Sequence, residues 1–323
     1  MISPVHTVYA IITKDISVIR KDYFIMKHNK ELKAKLFLLS SMSIFGTIGV
    51  FRRYIPFPSG MISLCRALIG TVFLLSFVFI KGSKPDFPAI KKNLKLLIIA
   101  GILLGFNWIL LFEAYQYTAV STATLCYYME PVFFILAAAV VLKEKLTLKS
   151  FFCVIAALVG MGLVSGFTDT NINMLADSKG ILLGLTAAVL YTSVVLISKH
   201  LKEIDGANVS LVQLATASIV LIPYVFIVED TSTVQFTPLN ISMLLIIGIV
   251  HTGIAYALYY SCLKDLKSQT VALYSYIDPV VSVLLAILIL NESMTLIKLI
   301  GAILILGAAL VNEFYPHSQK SSE

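Results

Sequence analysis

Two carboxylates stand directly before prolines inside apolar runs: Glu130–Pro131 in "YYMEPVFF" and Asp278–Pro279 in "YSYIDPVV", 148 positions apart. An ionised side chain in hydrocarbon is costly, so an acid retained there is a functional candidate by default. The chemistry open to such a pair is contact with a substrate ammonium or exchange of a proton. The plainer alternative is a carboxylate held by a tyrosine or serine hydroxyl that steadies a kink. Proline lacks an amide donor and clashes with the preceding turn. Pro131 and Pro279 are therefore expected as structural hinges that kink their helices and free a carbonyl each. Freed backbone polarity needs water or protein around it, which turns both acids toward a bundle interior.

Other polar and aromatic residues fall near these steps. Tyr127 lies three positions before Glu130 and shares its helix face. Ser275 has the same spacing from Asp278, and Tyr276 precedes that acid by two. Such rings either line a pocket or fill a helix interface. "GFNWILLFEAYQYT" supplies Asn107, a substrate hydrogen bond or interhelical glue, and Trp108, a pocket wall or packing at its rim. "VHTGIAYALYYS" supplies His251, a candidate proton carrier without metal-ligand spacing, and Tyr256. Glu144 and Glu292 end the two acid-bearing runs. Their twin placement reads as structural: conformational anchors that cap the next helix, with Thr147 and Thr295 as candidate cap residues. Arg66, in "SLCRALIG", attracts an anionic group, bonds carbonyls at a helix end, or snorkels.

The elements that position these residues follow from composition. The 323 residues are 58% hydrophobic and 13% charged, against about 25% charged in soluble domains. Ten runs approximate a membrane span of about 20 apolar residues: 36–54, 60–80, 94–115, 119–142, 147–166, 180–199, 208–228, 240–263, 268–290 and 295–313. With the N-terminus in the cytoplasm, 20 of the 25 Lys and Arg fall on the cytoplasmic side. Arg52, Arg53, Lys179 and Lys298 fall outside, and Arg66 within the second run. The bias puts both termini in the cytoplasm and explains the net charge of +7 without nucleic acid. Cys65, Cys126, Cys153 and Cys262 sit in apolar runs as small packing residues. Residues 1–30 are mixed in character and lack the apolar core of a signal peptide. They read as a loose tail or an early start ahead of Met26, with a surface amphipathic helix as the alternative.

Residues 118–150 align with 266–298 at the 148 offset. Tyr128 matches Tyr276, Pro131 matches Pro279, Glu144 matches Glu292, and Trp108 falls opposite Tyr256. The expected architecture is all-α and integral to the membrane, with ten transmembrane helices as two inverted five-helix repeats. A cytoplasmic tail (1–34) precedes the first repeat (35–166), an external linker (167–179) joins the second repeat (180–313), and a cytoplasmic tail (314–323) ends the chain. Five is odd, so the halves enter the membrane from opposite sides, an arrangement suited to alternating access. Small-residue steps at Gly101/Gly105, Gly162/Gly166 and Gly180/Gly184 permit close helix contact.

No phosphate loop, HExxH, GxSxG or paired zinc motif occurs, so no enzyme activity and no cofactor are expected. The leading reading is a secondary transporter, an exporter of small metabolites such as amino acids or amphipathic compounds. Its partners would be a small-molecule substrate, lipids and protons as candidate coupling ion, with monomer or homodimer left open. Import, facilitated diffusion, and a non-transporting membrane sensor or assembly role are the alternatives.

The residues "CRALIG", "EPVFFILAAAVVLKEKLT", "DPVVSVLLAILILNESMT" and "LIGAILILGAALV" make the chain resemble a ten-helix member of the drug/metabolite transporter superfamily with two EamA domains. The resemblance covers roughly 35–313. It implies a central cavity lined mainly by helices 1, 3, 4, 6, 8 and 9, export of metabolites, and a plasma-membrane location, here the inner membrane of a bacterium. It places Pro131 and Pro279 at the family's helix-breaking prolines and Glu144 and Glu292 at its helix-end acid. Phe45–Gly46 stands where many members carry Trp–Gly.

Overall fold

The structure is a computed structural model, and it describes residues 30–48, 50–51, 54–80, 84–117, 126–144, 147–164, 178–232, 234–290 and 296–314. The expectations for the tail before residue 30, most of the linker, Arg52, Arg53, Glu292, Thr295 and the last residues lie outside them. Every regular element among the described residues is helical. In the first half these are α1 (30–48), α2 (Ser59–Ile80), α3 (Phe87–Tyr117), α4 (Glu130–Val141) and α5 (Leu148–Val164). The second half has α6 (Ser178–His200), α7 (Gly206–Val228), α8 and α9 in pieces, and α10 (Leu296–Phe314). α8 runs as Pro238–Ile246, a π-helical stretch Ile247–Ile254, and Ala255–Cys262. α9 runs as Ser268–Ser275 and Ile277–Leu290, with Tyr276 between.

Local chemistry explains where these helices start. Asp205 accepts the Asn208 amide at 2.9 Å to begin α7, and Thr237, followed by Pro238, accepts the Asn240 amide at 3.2 Å to begin α8. Asp86 takes the Ala89 amide at 3.0 Å, so α3 starts at Phe87 rather than near 94. Lys91, Lys92 and Lys95 excluded that first stretch from an apolar count, yet lysine is a good helix former.

Five of these helices are long and apolar enough to cross a membrane: Ser59–Ile80, Phe87–Leu111, Ser178–His200, Gly206–Val228 and Pro238–Asp265. The distribution of polarity is inverted relative to a soluble protein. Ile80, Val140, Phe226 and Ile227 face outward, while Ser41, Asn107, Glu130, Gln213 and Thr252 are buried. An apolar exterior around a polar interior suits lipid as the solvent.

Helix packing obeys an exchange of halves. A shift of 148 maps α1 to α6, α2 to α7, α3 to α8, α4 to α9 and α5 to α10. Five pairs map onto themselves under this exchange; of these α2–α7, α4–α9 and α5–α10 pack on each other, and α3 meets α8 through Trp108 and Tyr256. α3 packs on α6 and α7, and α4 packs on α6. Their images are also present: α8 meets α1 through the Ser41 hydroxyl on the Ala255 carbonyl at 2.8 Å, α8 meets α2, and α9 meets α1. A pseudo-two-fold relation between the halves produces this pattern.

Close approach depends on glycine at a few positions. A Cβ on Gly46 would lie 2.6 Å from the Asp278 carbonyl oxygen and 2.7 Å from Val281 Cβ, so α1 rests directly on α9. Gly101 does the same for α3 against α7, where a Cβ would sit 2.5 Å from Thr216 Cβ. The expected step at Gly162 meets nothing within 4 Å. Gly160 instead faces α10, 2.6 Å from the Gly301 carbonyl oxygen by the same measure.

Candidate functional site: paired acid–proline breaks and an aromatic chamber

The first acid sits where the helix stops and restarts. Residues 126–127 are helical, 128–129 form a turn, and α4 begins at Glu130. The Met129 amide donates to the Cys126 carbonyl at 3.2 Å, and the Val132 and Phe133 amides both turn to the Met129 carbonyl at 3.0 Å. Pro131 therefore occupies the first turn of α4, where its missing donor costs nothing. It begins a helix instead of kinking a continuous one. The Tyr128 carbonyl loses its usual amide to this turn, and the Tyr276 hydroxyl reaches it from α9 at 3.4 Å. Thr192 of α6 donates to the Glu130 carbonyl at 3.3 Å. Backbone polarity at the break is thus answered from the other half.

The second acid repeats the plan. α9 breaks at Tyr276, and Pro279 falls in the first turn of the piece that follows. Tyr128 donates its hydroxyl to the Asp278 carboxylate. Tyr276 therefore crosses to the first break while Tyr128, its counterpart, crosses to the second acid. The surroundings of the acids differ. Glu130 is buried, faces the phenols of Tyr259 and Tyr276, and receives no hydrogen bond on its carboxylate among the described residues. Asp278 is half-buried and also faces Tyr256.

Aromatic rings connect the breaks to α3 and α8. Trp108 and Tyr256, opposite each other in the repeat, meet edge to face with centroids 6.3 Å apart. Phe45 packs on Tyr256 at 5.1 Å, Tyr260 at 5.8 Å, and Tyr191 lies 6.2 Å from Tyr127. Asn107 gives its amide N–H to the Ala187 carbonyl at 2.7 Å, joining α3 to α6, while its Oδ1 is buried without a partner among the described residues. This bond is the interhelical alternative to the substrate contact expected of Asn107.

His251 stands apart from the acids. The π-helical stretch of α8 widens the turn so that Thr252 bonds the Ile247 carbonyl at 2.9 Å and His251 points at α1. Its Nε2 is 2.7 Å from Thr47 Oγ1, and the Phe51 ring lies edge-on at 4.9 Å. Arg66 points inward instead of snorkelling. Its Nε donates to Thr252 Oγ1 at 3.0 Å, its guanidinium lies 4.8 Å from the Trp108 ring centre, and Tyr127, Tyr191 and Tyr256 face it.

Glu144 does its work between the halves. Lys143 adopts a left-handed φ of 55° just past the end of α4. Thr147 caps α5 through the Ser150 amide at 3.1 Å. Glu144 accepts from Lys199 Nζ at 3.1 Å, the Ser268 amide at 2.9 Å and the Ser268 hydroxyl at 2.8 Å. At the far end of α7, Glu229 accepts the Gly60 and Met61 amides at 2.6 and 2.8 Å. A cavity of about 540 Å³ beside Glu144, lined by Lys199, Lys264, Asp265 and Lys267, belongs to this charged seam and not to the acid–proline breaks. Sequence reading missed Tyr128, Tyr191, Thr192, Thr252 and Lys199 as parts of these clusters. Only Tyr128 carried a signal, its match with Tyr276.

Broken helices, an apolar exterior and two halves related by exchange define a multi-pass membrane protein built from a repeated unit. The model of the EamA-like transporter family matches residues 32–166 and 178–313, and the chain belongs to that family. An uncharacterized transporter of Bacillus subtilis, YxxF, is 28% identical over 84% of this chain and 87% of its own length. An uncharacterized transporter of Clostridium kluyveri is 28% identical over 79% of this chain and 83% of its own. A crystal structure of another protein superposes with a TM-score of 0.77 at 20% identity, covering 87% of this chain and 97% of the other, which establishes the shared fold.

Proposed function

We propose that the chain is a secondary active transporter that exports small amphipathic metabolites, amino acids among them, with protons as the coupling ion. One observation carries this reading: two acid–proline breaks from opposite halves meet through the crossed tyrosines Tyr128 and Tyr276. If all ten helices span, the odd number in each half inverts the second against the first. The pseudo-two-fold axis then lies in the membrane plane, and a site on it opens to either face as one half rocks against the other. Glu130, Asp278, Tyr127, Tyr276, Asn107, Trp108, His251 and Tyr256 are the residues assigned to substrate binding or coupling. Pro131 and Pro279 hold the breaks, and Glu144 and Glu292 anchor the ends of the moving helices. Both termini lie in the cytoplasm, and the membrane is the plasma membrane of a bacterium.

The test is uptake into everted vesicles offered a mixed metabolite pool and read by mass spectrometry. Compounds accumulate only in vesicles holding the chain, and accumulation disappears when the proton gradient is collapsed. A pool that stays outside in every case ends the transport reading. Accumulation that survives collapse leaves transport in place and removes the proton. Labelling adds an independent check on the inverted arrangement: positions near 143 and near 291 should react from opposite sides of the membrane.

A further inference from the structure

Arg66 is the polar group that the acid–proline breaks leave unexplained. It lies within α2, a helix that mean hydropathy marks as a membrane span. No acidic side chain pairs with it among the described residues, and its one hydrogen bond is from Nε to the neutral Thr252 hydroxyl. Its terminal nitrogens have no acceptor bonded to them there. A guanidinium in an apolar bundle is costly without a counter-charge, so a cation kept in this state points to an anion that arrives from outside.

The surroundings specify the shape of that anion. The Trp108 ring covers one face of the guanidinium at 4.8 Å, a cation–π contact that leaves the N–H edge open. That edge is a planar fork matched to a carboxylate. Tyr127, Tyr191 and Tyr256 surround it, and Arg66, Tyr127 and Tyr191 are only half-buried although they face one another inside the bundle. Arg66 and these tyrosines form one polar cluster inside the bundle. The Tyr260 hydroxyl, 5% exposed as a residue, is buried beside Tyr127 and Tyr256 without a hydrogen-bond partner among the described residues. It supplies a second unpaired donor to the same cluster.

We infer that Arg66 is an anion subsite of a transport chamber, which takes the carboxylate of a substrate whose apolar body packs on the half-buried rings of Tyr127 and Tyr191. This deepens the transport reading and rests on it for the word substrate, but the binding claim can be tested alone. Trp108 is the single tryptophan of the chain, so its emission reports on the ring that covers Arg66.

The experiment titrates the full chain in nanodiscs with acid and amide pairs, 3-phenylpropanoate against 3-phenylpropanamide and leucine against leucinamide, and follows Trp108 emission. Saturable change is expected with at least one acid, at concentrations at least about tenfold below its amide. Arg66→Gln should remove that preference, and Arg66→Lys should keep part of it, because an ammonium keeps the charge without the fork. Amides that match their acids, no saturable response to either acid, or a preference that survives in Arg66→Gln would overturn the inference. If Arg66→Gln fails to fold, Arg66→Lys carries the comparison, and an acid preference undiminished in that variant overturns the inference. Carboxylate binding without flux would keep this subsite and remove the transporter, whereas flux with no acid-over-amide preference would do the reverse.

Discussion

Glu130 and Asp278 occupy the same position of two repeated units and live in different surroundings. Glu130 is closed in by Tyr259 and Tyr276 with no donor on its carboxylate among the described residues, while Asp278 is half-buried and holds the Tyr128 hydroxyl. A repeat relates backbones more strictly than it relates side chains. Thr192 supports the first break from α6, whereas at the second Gly46 lets α1 lie directly on the Asp278 carbonyl. If the chain opens to either face, such an inequality is expected of one state, with one acid more enclosed than its counterpart.

The comparison is sharpest when each acid is neutralised in turn. Glu130→Gln should cut transport in proteoliposomes by about a hundredfold, or about 2.7 kcal/mol of barrier, and flatten its pH response. Asp278→Asn, with one tyrosine hydroxyl still available to its amide, should cost about tenfold. The groups facing these positions are Tyr259 and Tyr276 for Glu130, and Tyr128 and Tyr256 for Asp278. Equal losses would erase the inequality, and unchanged rates with an unchanged pH profile in both would take the acids out of the site.

A third acid supplies the control. Glu144 holds Lys199, whose side chain is 7% exposed against 27% for Glu144 itself. Glu144→Gln should destabilise the folded chain by about 2 kcal/mol. That is below the range for breaking a fully buried pair, because water screens part of this one. The loss should read out as a lower unfolding midpoint in detergent. The pH profile of transport should keep its shape, since this acid belongs to the seam. A changed profile would move Glu144 from anchor to coupling group.

What the sequence disclosed, and what it withheld, follows the same division. The acid–proline steps, the match of Tyr128 with Tyr276 and that of Trp108 with Tyr256 were legible because a repeat displays them at one fixed offset. The helix at Phe87 was hidden by lysines that count against an apolar run but not against a helix. The partners of Glu144 were not legible at all, since Lys199 and Ser268 reach it from distant segments without any local pattern. The π-helical stretch "IGIVHTGI" contains no proline to announce it. Arg66 was visible as a charge within a span, but whether it snorkels or points inward depends on Thr252 and Trp108, which only the packing of α2 on α8 and α3 brings to it.

The tyrosine pair refines the comparison at smaller scale. Tyr128→Phe removes a hydrogen bond to a carboxylate and should cost about 2 kcal/mol in stability. Tyr276→Phe removes only a 3.4 Å contact to a carbonyl and should cost less. A reversed order would mean that the break at Glu130, not the anchoring of Asp278, is the point at which the crossed tyrosines bear on the fold.

The smallest effect belongs to Thr192. Its hydroxyl meets the Glu130 carbonyl at 3.3 Å from a helix of the other half. Thr192→Val keeps the branched shape at Cβ, so packing between α4 and α6 is retained and only the donor is lost. A buried hydrogen bond of this length should contribute about 0.5–1 kcal/mol. The residue is 4% exposed, so no water replaces the donor without a shift of the helices. If the bond serves to hold the turn at 128–129, the variant should lower the unfolding midpoint slightly and speed hydrogen exchange at the Val132 and Phe133 amides, which that turn directs to Met129. Exchange unchanged at those amides would show that Pro131 and the Met129 carbonyl hold the first break by themselves, and the asymmetry between the two acids would then owe nothing to α6.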